Sequence, residues 1–481
     1  MNKGLLILLL FFIIKFDAVY AQSNAFLLFG GDKNDYGVSL VEKSNAKGYL
    51  VLGSTRSYGS GSSDYYFISL NADFLQLSEN AIGGIHHDIP SKIKRIAFNE
   101  YIVLGAVYDF KPGLLNHSLT YVDGLGNFLK RDVLWRGRTD IPGNFLLENN
   151  NEKVIFGMAA QTDKRGQAKL MKVNSEGELY FEVEYGDLYV SDYGFDILSQ
   201  NDGYLLLSTH YCEFTESSSF ITYTLPSDIS VLKVNLEGEV QWEYRYEGDD
   251  FDYAYSFVEI NDFVYVAVNT RSEDSQSFDI KVLKIDDQGL LVDSFDFGGE
   301  GFEYAYKILR DSNDDLLLCG VSASDVDKPS FYALKIGTDG ELLWEKKISE
   351  DASIYAYDVI ENAKGNYVFT GKYATELENS DLFLIELNKS GDIISNQDQT
   401  ANNEILIYPN PSNGTLVLNS GEISVETVLI YSITGKLVYQ EEYSNVGSFI
   451  PIDLNELSGG VYILEAVDSH QNHHQQKITL Y

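Results

Sequence analysis

Seven short apolar runs recur along the chain, each with a small residue in fifth place. They begin at Tyr49 (YLVLGST), Tyr101 (YIVLGAV), Lys153 (KVIFGMA), Tyr204 (YLLLSTH), Phe263 (FVYVAVN), Leu316 (LLLCGVS) and Tyr367 (YVFTGKY). The small residues are Gly53, Gly105, Gly157, Ser208, Ala267, Gly320 and Gly371. The steps between starts are 52, 52, 51, 59, 53 and 51 residues. A near-constant period of this size marks a repeat architecture.

Three further elements surround each run. One leads in, as in YAYSFVEI. A third follows a variable loop, as in SVLKVNLEG, and a fourth follows a tight glycine-containing turn, as in EVQWEYRYEG. All are short, rich in β-branched and aromatic residues, and separated by turn signals, which predicts strands. Four strands in each of seven repeats predict an all-β fold, a seven-bladed β-propeller with four-stranded blades. The period lies nearer the kelch class than the WD class, but neither the kelch double glycine nor the WD dipeptide is present. The seventh repeat lacks a fourth strand. FLLFGG near the N-terminus matches SFDFGG, a fourth strand of another repeat, and is expected to fill that place and close the ring.

The leading strand carries YAY three times, at Tyr253, Tyr304 and Tyr355. Gly37, Gly194, Ala254, Ala305 and Ala356 occupy its small central place, where neighbouring blades approach closest. Asp35, Asp192, Asp252 and Glu303 stand two residues earlier, at the entry to the strand. Repeats two and three read HDIPS and TDIPGN and have lost this pattern. The tyrosines are expected to fill the space between blades, with an aromatic lining of the channel mouth as the functional alternative.

The loops between second and third strands differ in every blade, whereas the other turns are short. Variable loops on a rigid scaffold are where binding sits. The longest lies in blade four and supplies candidate ligand-binding residues His210, Tyr211, Phe214, Phe220 and Tyr223.

Residues 1–21 read as a secretory signal peptide: a lysine, the run LLILLLFFII, and small residues before Gln22. No segment is apolar enough to cross a membrane. The formal net charge is −37, which disfavours nucleic acid and anionic membranes as partners. Cys212 and Cys319 fall in different repeats and are not expected to pair. No nucleophile elbow, phosphate loop or arginine triad occurs. Acidic runs such as DSNDD and KIDDQG lack the alternating calcium-loop spacing and read as solvated turns, and the C-terminal His470, His473 and His474 read as a polar turn. No catalytic residue, cofactor or metal is expected, and the chain is expected to be monomeric.

After an Asn/Gln-rich linker at 395–403 the period ends, giving a propeller over 22–394. The remaining residues, 404–481, form short alternating strands that predict a small β-sandwich. They carry Pro409, Asn410 and Pro411 with Asn413 and Gly414; Gly435 and Lys436; Gly459, Gly460 and Tyr462; and Lys477. This tail resembles the type A C-terminal sorting domain of the Bacteroidota type IX secretion system. The resemblance implies recognition by that machinery, export across the outer membrane, and release or attachment at the cell surface. The repeats resemble those of secreted propellers of the same bacteria, which implies no activity. A binding module for polysaccharide or protein is therefore expected over an enzyme. The alternatives are a polysaccharide hydrolase or lyase, and a structural surface protein.

Overall fold

The computed structural model describes residues 25–480, except 109–113, 135–138, 161–165, 187–190, 211–214, 218–219, 223–226, 249–250, 272–276, 300, 324–327, 395–404, 409, 411, 413, 421–422, 444–448 and 471. Seven four-stranded antiparallel sheets follow one another along the chain. Their innermost strands are Asp35–Glu42, Asp88–Ala97, Thr139–Leu147, Tyr193–Gln200, Asp252–Ile260, Glu303–Arg310 and Ser353–Glu361. Each packs on the sheet before it, and blade one packs on blade seven. The fold is a seven-bladed β-propeller.

Burial explains why the strands of a blade read differently. Tyr49–Thr55 and Asp64–Leu70, the middle strands of blade one, are buried at every residue. Sheets covered on both faces need near-continuous apolar runs. The outermost strand of blade four, Val240–Tyr246, alternates between exposed and half-buried residues. Its Trp242 packs against the turn glycine of the next blade. A Cβ at Gly289 would lie 2.7 Å from the indole, and the positive φ of 78° there also favours glycine. The indole Nε1 donates to the Asp287 carbonyl at 3.0 Å. Trp344 repeats this lock against Gly391 and Lys389.

The N-terminal strand Leu27–Phe29 completes blade seven, as the sequence predicts. Leu27, Leu28 and Phe29 oppose Leu384, Phe383 and Leu382. Just before them, Phe26 is buried among Phe331, Tyr373 and Phe383. The first and last strands of the ring thus share one sheet, and the outer edge of Asn379–Leu387 is paired at Leu382–Leu384.

Two sequence expectations change in detail. In blade five, Ala254 faces Val268, and Ala267 faces Ser256. The fifth-place residue there is Val268, shifting the pattern by one. The adjacent Asn269 then reaches blade six, accepting the Ala305 amide at 2.6 Å and donating to the Ala305 carbonyl at 2.9 Å. Second, blades two and three retain the strand-entry acid. Asp88 and Asp140 are buried like Asp35, Asp192, Asp252 and Glu303. Pro90 and Pro142 take the small-residue place opposite Gly105 and Gly157. An innermost strand is a sheet edge, so proline is tolerated there. Where its partner is described, the acid accepts the amide of a glycine four residues upstream: Gly31 to Asp35 and Gly248 to Asp252 at 2.8 Å, Gly84 to Asp88 at 2.6 Å, Gly299 to Glu303 at 3.0 Å. This bond fixes the crossing from one blade to the next.

Cys319 is a buried free thiol, and burial raises its pKa. Cys212 lies outside the described residues, as do the predicted signal peptide and linker. The tail forms two sheets around its own apolar core, which includes Leu416, Ile430, Ile452 and Leu464. Asn410 caps the last strand, donating to the Lys477 carbonyl at 2.6 Å and accepting the Thr479 amide at 2.9 Å. Gly435, at φ 81°, makes the hairpin turn before Lys436. Tyr462 donates to the Ser458 carbonyl at 2.7 Å, beside Gly459 and Gly460. Pro409, Pro411 and Asn413 lie outside the described residues.

Candidate functional site: the channel mouth and an adjoining cleft

Every innermost strand carries a β-bulge directly after its small residue. A bulge leaves one residue out of the ladder and re-aims its side chain. The residues concerned are Val38, Ser91, Gly143, Phe195, Tyr255, Tyr306 and Tyr357. From blade four onward they touch in succession. Phe195 and Tyr255 have centroids 5.0 Å apart, Tyr255 and Tyr306 5.7 Å, and Tyr306 and Tyr357 4.9 Å. Tyr36 of blade one continues the series at 6.2 Å from Tyr357. The result is an aromatic crescent on one side of the channel, facing the smaller Val38, Ser91 and Gly143.

The YAY repeat therefore has two roles. Its first tyrosine packs near the seam: Tyr253 is buried against Phe278. Its second, Tyr255, Tyr306 or Tyr357, is the bulge residue and half-buried. Tyr255 and Tyr304 link their hydroxyls at 3.3 Å. Burial raises the pKa of Tyr306 and Tyr357, with neighbouring phenols adding to the shift, so both stay neutral hydrogen-bond donors.

One residue further along the strands, polar side chains meet across the channel. Asp196 accepts from Asn144 at 2.5 Å and from Ser256 at 3.1 Å, and lies 3.9 Å from Lys307. Lys92 lies 3.0 Å from Asp358, which also accepts the Leu40 amide at 3.2 Å. Lys94, two residues beyond Lys92, has its pKa lowered to about 8. Burial is the main cause, opposed by Asp196 and reinforced by Lys92 and Lys307. The aromatic crescent thus stands over a network of bonded lysines and aspartates.

A cleft of about 600 Å³ opens beside blade five, lined among others by Tyr246, Thr270, Arg271, Asp279, Lys281 and Asp296. Lys281 pairs with Asp296. The Asp279 carboxyl is raised by burial, then by the charges of Glu303 and Asp296. A chain of ring contacts joins this cleft to the crescent. Arg271 lies 5.7 Å from the Phe251 centroid, Phe251 is 6.3 Å from Tyr253, and Tyr253 is 6.3 Å from Tyr304.

Of the residues the sequence singles out in the blade-four loop, His210 is buried with Nδ1 2.6 Å from Asp192. It lies at the end of the strand Gly203–His210, with its side chain inside the blade. Phe220 belongs to a short hairpin, Thr215–Ser217 with Phe220–Thr222. Tyr211, Phe214 and Tyr223 lie outside the described residues. The crescent was available to sequence reasoning only as the second tyrosine of YAY. The cleft residues come from four separate strands and the crossings beside them, and carry no motif. In the tail, His473 pairs with Glu465 at 2.8 Å and His474 with Asp468 at 3.2 Å. Among the described residues, no three His, Cys, Asp or Glu side chains are grouped to hold a metal, and no helix is long and apolar enough to cross a membrane.

Residues 406–480 match the secretion system C-terminal sorting domain. This tail marks cargo of the type IX secretion system, secreted or attached to the cell surface. No curated protein matches the chain. Among solved structures, a puromycin hydrolase is 10% identical with a TM-score of 0.48, covering 81% of this chain and 61% of its own. The chain thus spans about three-fifths of that hydrolase. Porphyromonas gingivalis dipeptidyl peptidase 4 is 9% identical with a TM-score of 0.38, covering 90% of this chain and 65% of its own. Sqt1 from Chaetomium thermophilum is 10% identical with a TM-score of 0.41, covering 75% and 98%.

Proposed function

We propose that this protein is a non-catalytic polysaccharide-binding module, delivered to the outside of the cell by its sorting tail. On this reading residues 1–21 are cleaved on entry to the periplasm, 22–394 are the working domain, and 395–403 are a linker to the tail. The observation that carries the proposal is the aromatic crescent from Phe195 to Tyr36. Aromatic faces stack on the apolar faces of sugar rings, and their hydroxyls bond the sugar's polar edge. The polar network beside it offers both donors and acceptors to sugar hydroxyls. The blade-four loop aromatics Tyr211, Phe214, Phe220 and Tyr223 are part of the same proposal as candidate sugar contacts.

The blade-five cleft favours a second reading, a polysaccharide hydrolase. Glycoside cleavage uses a carboxyl of raised pKa beside an ionised one, and Asp279 is raised by burial, then by the charges of Glu303 and Asp296 beside it. One assay separates the readings. The purified protein is passed over a panel of immobilised algal, plant and host polysaccharides, and retention and released products are measured together. Retention without products supports binding. Products that scale with protein and vanish in Asp279→Asn establish the hydrolase. Absence of both rejects each.

A further inference from the structure

The crossing between blades one and two closes on a group of oxygens. Asp64, at the start of the third strand of blade one, is fully buried. Its Oδ2 accepts the amides of Ser60 at 2.8 Å and Gly61 at 3.2 Å. Its Oδ1 is buried and has no hydrogen-bond partner. A fully buried carboxylate oxygen without a donor carries an uncompensated desolvation cost.

Three further oxygens face the same place. A Cβ built at Gly83 would stand 1.8 Å from Asp64 Oδ1 and 2.5 Å from Asp88 Oδ2. A Cβ built at Gly61 would stand 2.2 Å from the His86 carbonyl oxygen, 2.6 Å from that of Gly84 and 3.1 Å from Asp64 Oδ1. Two carboxylates and two carbonyls thus converge where any side chain on those glycines would intrude. The nearby His87 is engaged elsewhere, its Nδ1 3.0 Å from the Ser63 hydroxyl.

The gap that closes the ring makes a useful contrast. There a Cβ at Gly30 would lie 2.3 Å from Asp381 and 2.9 Å from Asp35. Both Asp35 oxygens are already taken, by the amides of Gly31, Arg56 and Ser57 and by the Ser57 hydroxyl. Among the described residues, the blade one–two crossing combines a buried carboxylate oxygen that has no hydrogen-bond partner with converging carbonyls.

We propose that this crossing binds one calcium ion through Asp64, Asp88 and the carbonyl oxygens of Gly84 and His86, with water completing the shell. Calcium accepts mixed carboxylate, carbonyl and water ligands in a flexible geometry, whereas magnesium demands a near-ideal octahedron. The bound ion would pin blade one to blade two at the variable face.

The test uses the full-length protein, stripped with chelator and titrated with calcium by isothermal calorimetry. One saturable site is expected, with a dissociation constant of about 10⁻⁴ to 10⁻³ M, the range of extracellular modules. The melting temperature should rise in calcium. Asp64→Asn should lose the site and the thermal shift, while Asp381→Asn keeps both. No saturable binding to the unaltered protein, or equal binding by Asp64→Asn, overturns the proposal. A second measurement needs no variant: crystals soaked in terbium should show an anomalous peak between Asp64 and Asp88. A map without a peak there overturns it equally.

Discussion

Lys92 Nζ and Asp358 Oδ1 lie 3.0 Å apart, although their blades, two and seven, are not neighbours. Blade one stands between them and adds its Leu40 amide to the same carboxylate. Three blades, two of them at opposite ends of the sequence, are therefore held by one aspartate. Lys92→Ala leaves Asp358 with the amide alone. It should lower stability by about 1.5–3 kcal/mol, the range for a hydrogen bond to a charged group. The check is a lower urea midpoint at unchanged slope. A double-mutant cycle with Asp358→Asn should show a smaller loss than the sum of the single changes.

The latch strand gives a second prediction. Phe26 contacts three aromatic rings and is 1% exposed. Phe26→Ala should cost about 3–5 kcal/mol, as truncation of a buried phenylalanine does. Deleting residues 22–29 should do more. The outer edge of Asn379–Leu387 would then lack its partner, and size-exclusion chromatography should show association through that edge.

Stability should also depend on pH through the ring-closing gap. The Asp381 carboxyl is pushed up to about 6 by burial, then by the charge of Asp35. A folded-state pKa above the unfolded value means that the folded protein binds the proton more tightly. The associated stability is fully present below about pH 4 and is lost as pH rises to about 6. Asp381→Asn should abolish that slope and raise stability at pH 7 by about 1 kcal/mol, a figure discounted for solvent screening. Melting curves of both proteins across that window provide the check.

The crescent makes a prediction for ligand binding. Tyr306→Ala removes the ring that joins Tyr255 to Tyr357. Retention on the bound polysaccharide should weaken about tenfold, equivalent to about 1.4 kcal/mol. Tyr306→Phe keeps the stacking face and should bind nearly as the unaltered protein does. Equal losses in both variants would shift the recognition to the hydroxyl.

Periodicity made the architecture legible. The small residues in fifth place set the repeat count, the four runs of each repeat set the strand order, and FLLFGG announced its place as the missing fourth strand of the seventh repeat. The bulge was not legible, because one unpaired residue leaves the apolar pattern on either side looking intact. Asp88 and Asp140 were hidden by the prolines that follow them. The bond between Lys92 and Asp358 spans 266 residues, and no local pattern records it. The same holds for Asp64 and Asp88, which lie in different blades and meet only when the crossing folds.

The seven bulges have a further consequence. Each separates, within a single strand, the residue that seals a blade seam from the one that faces the mouth. Gly37, Ala254 and their equivalents hold the seam place, which is tight: a Cβ at Gly37 would come 2.0 Å from Thr370. Their immediate successors range from Gly143 to Tyr357 on the same backbone. The mouth is thus a keyboard of seven interchangeable positions mounted on a frame that does not register which key is fitted.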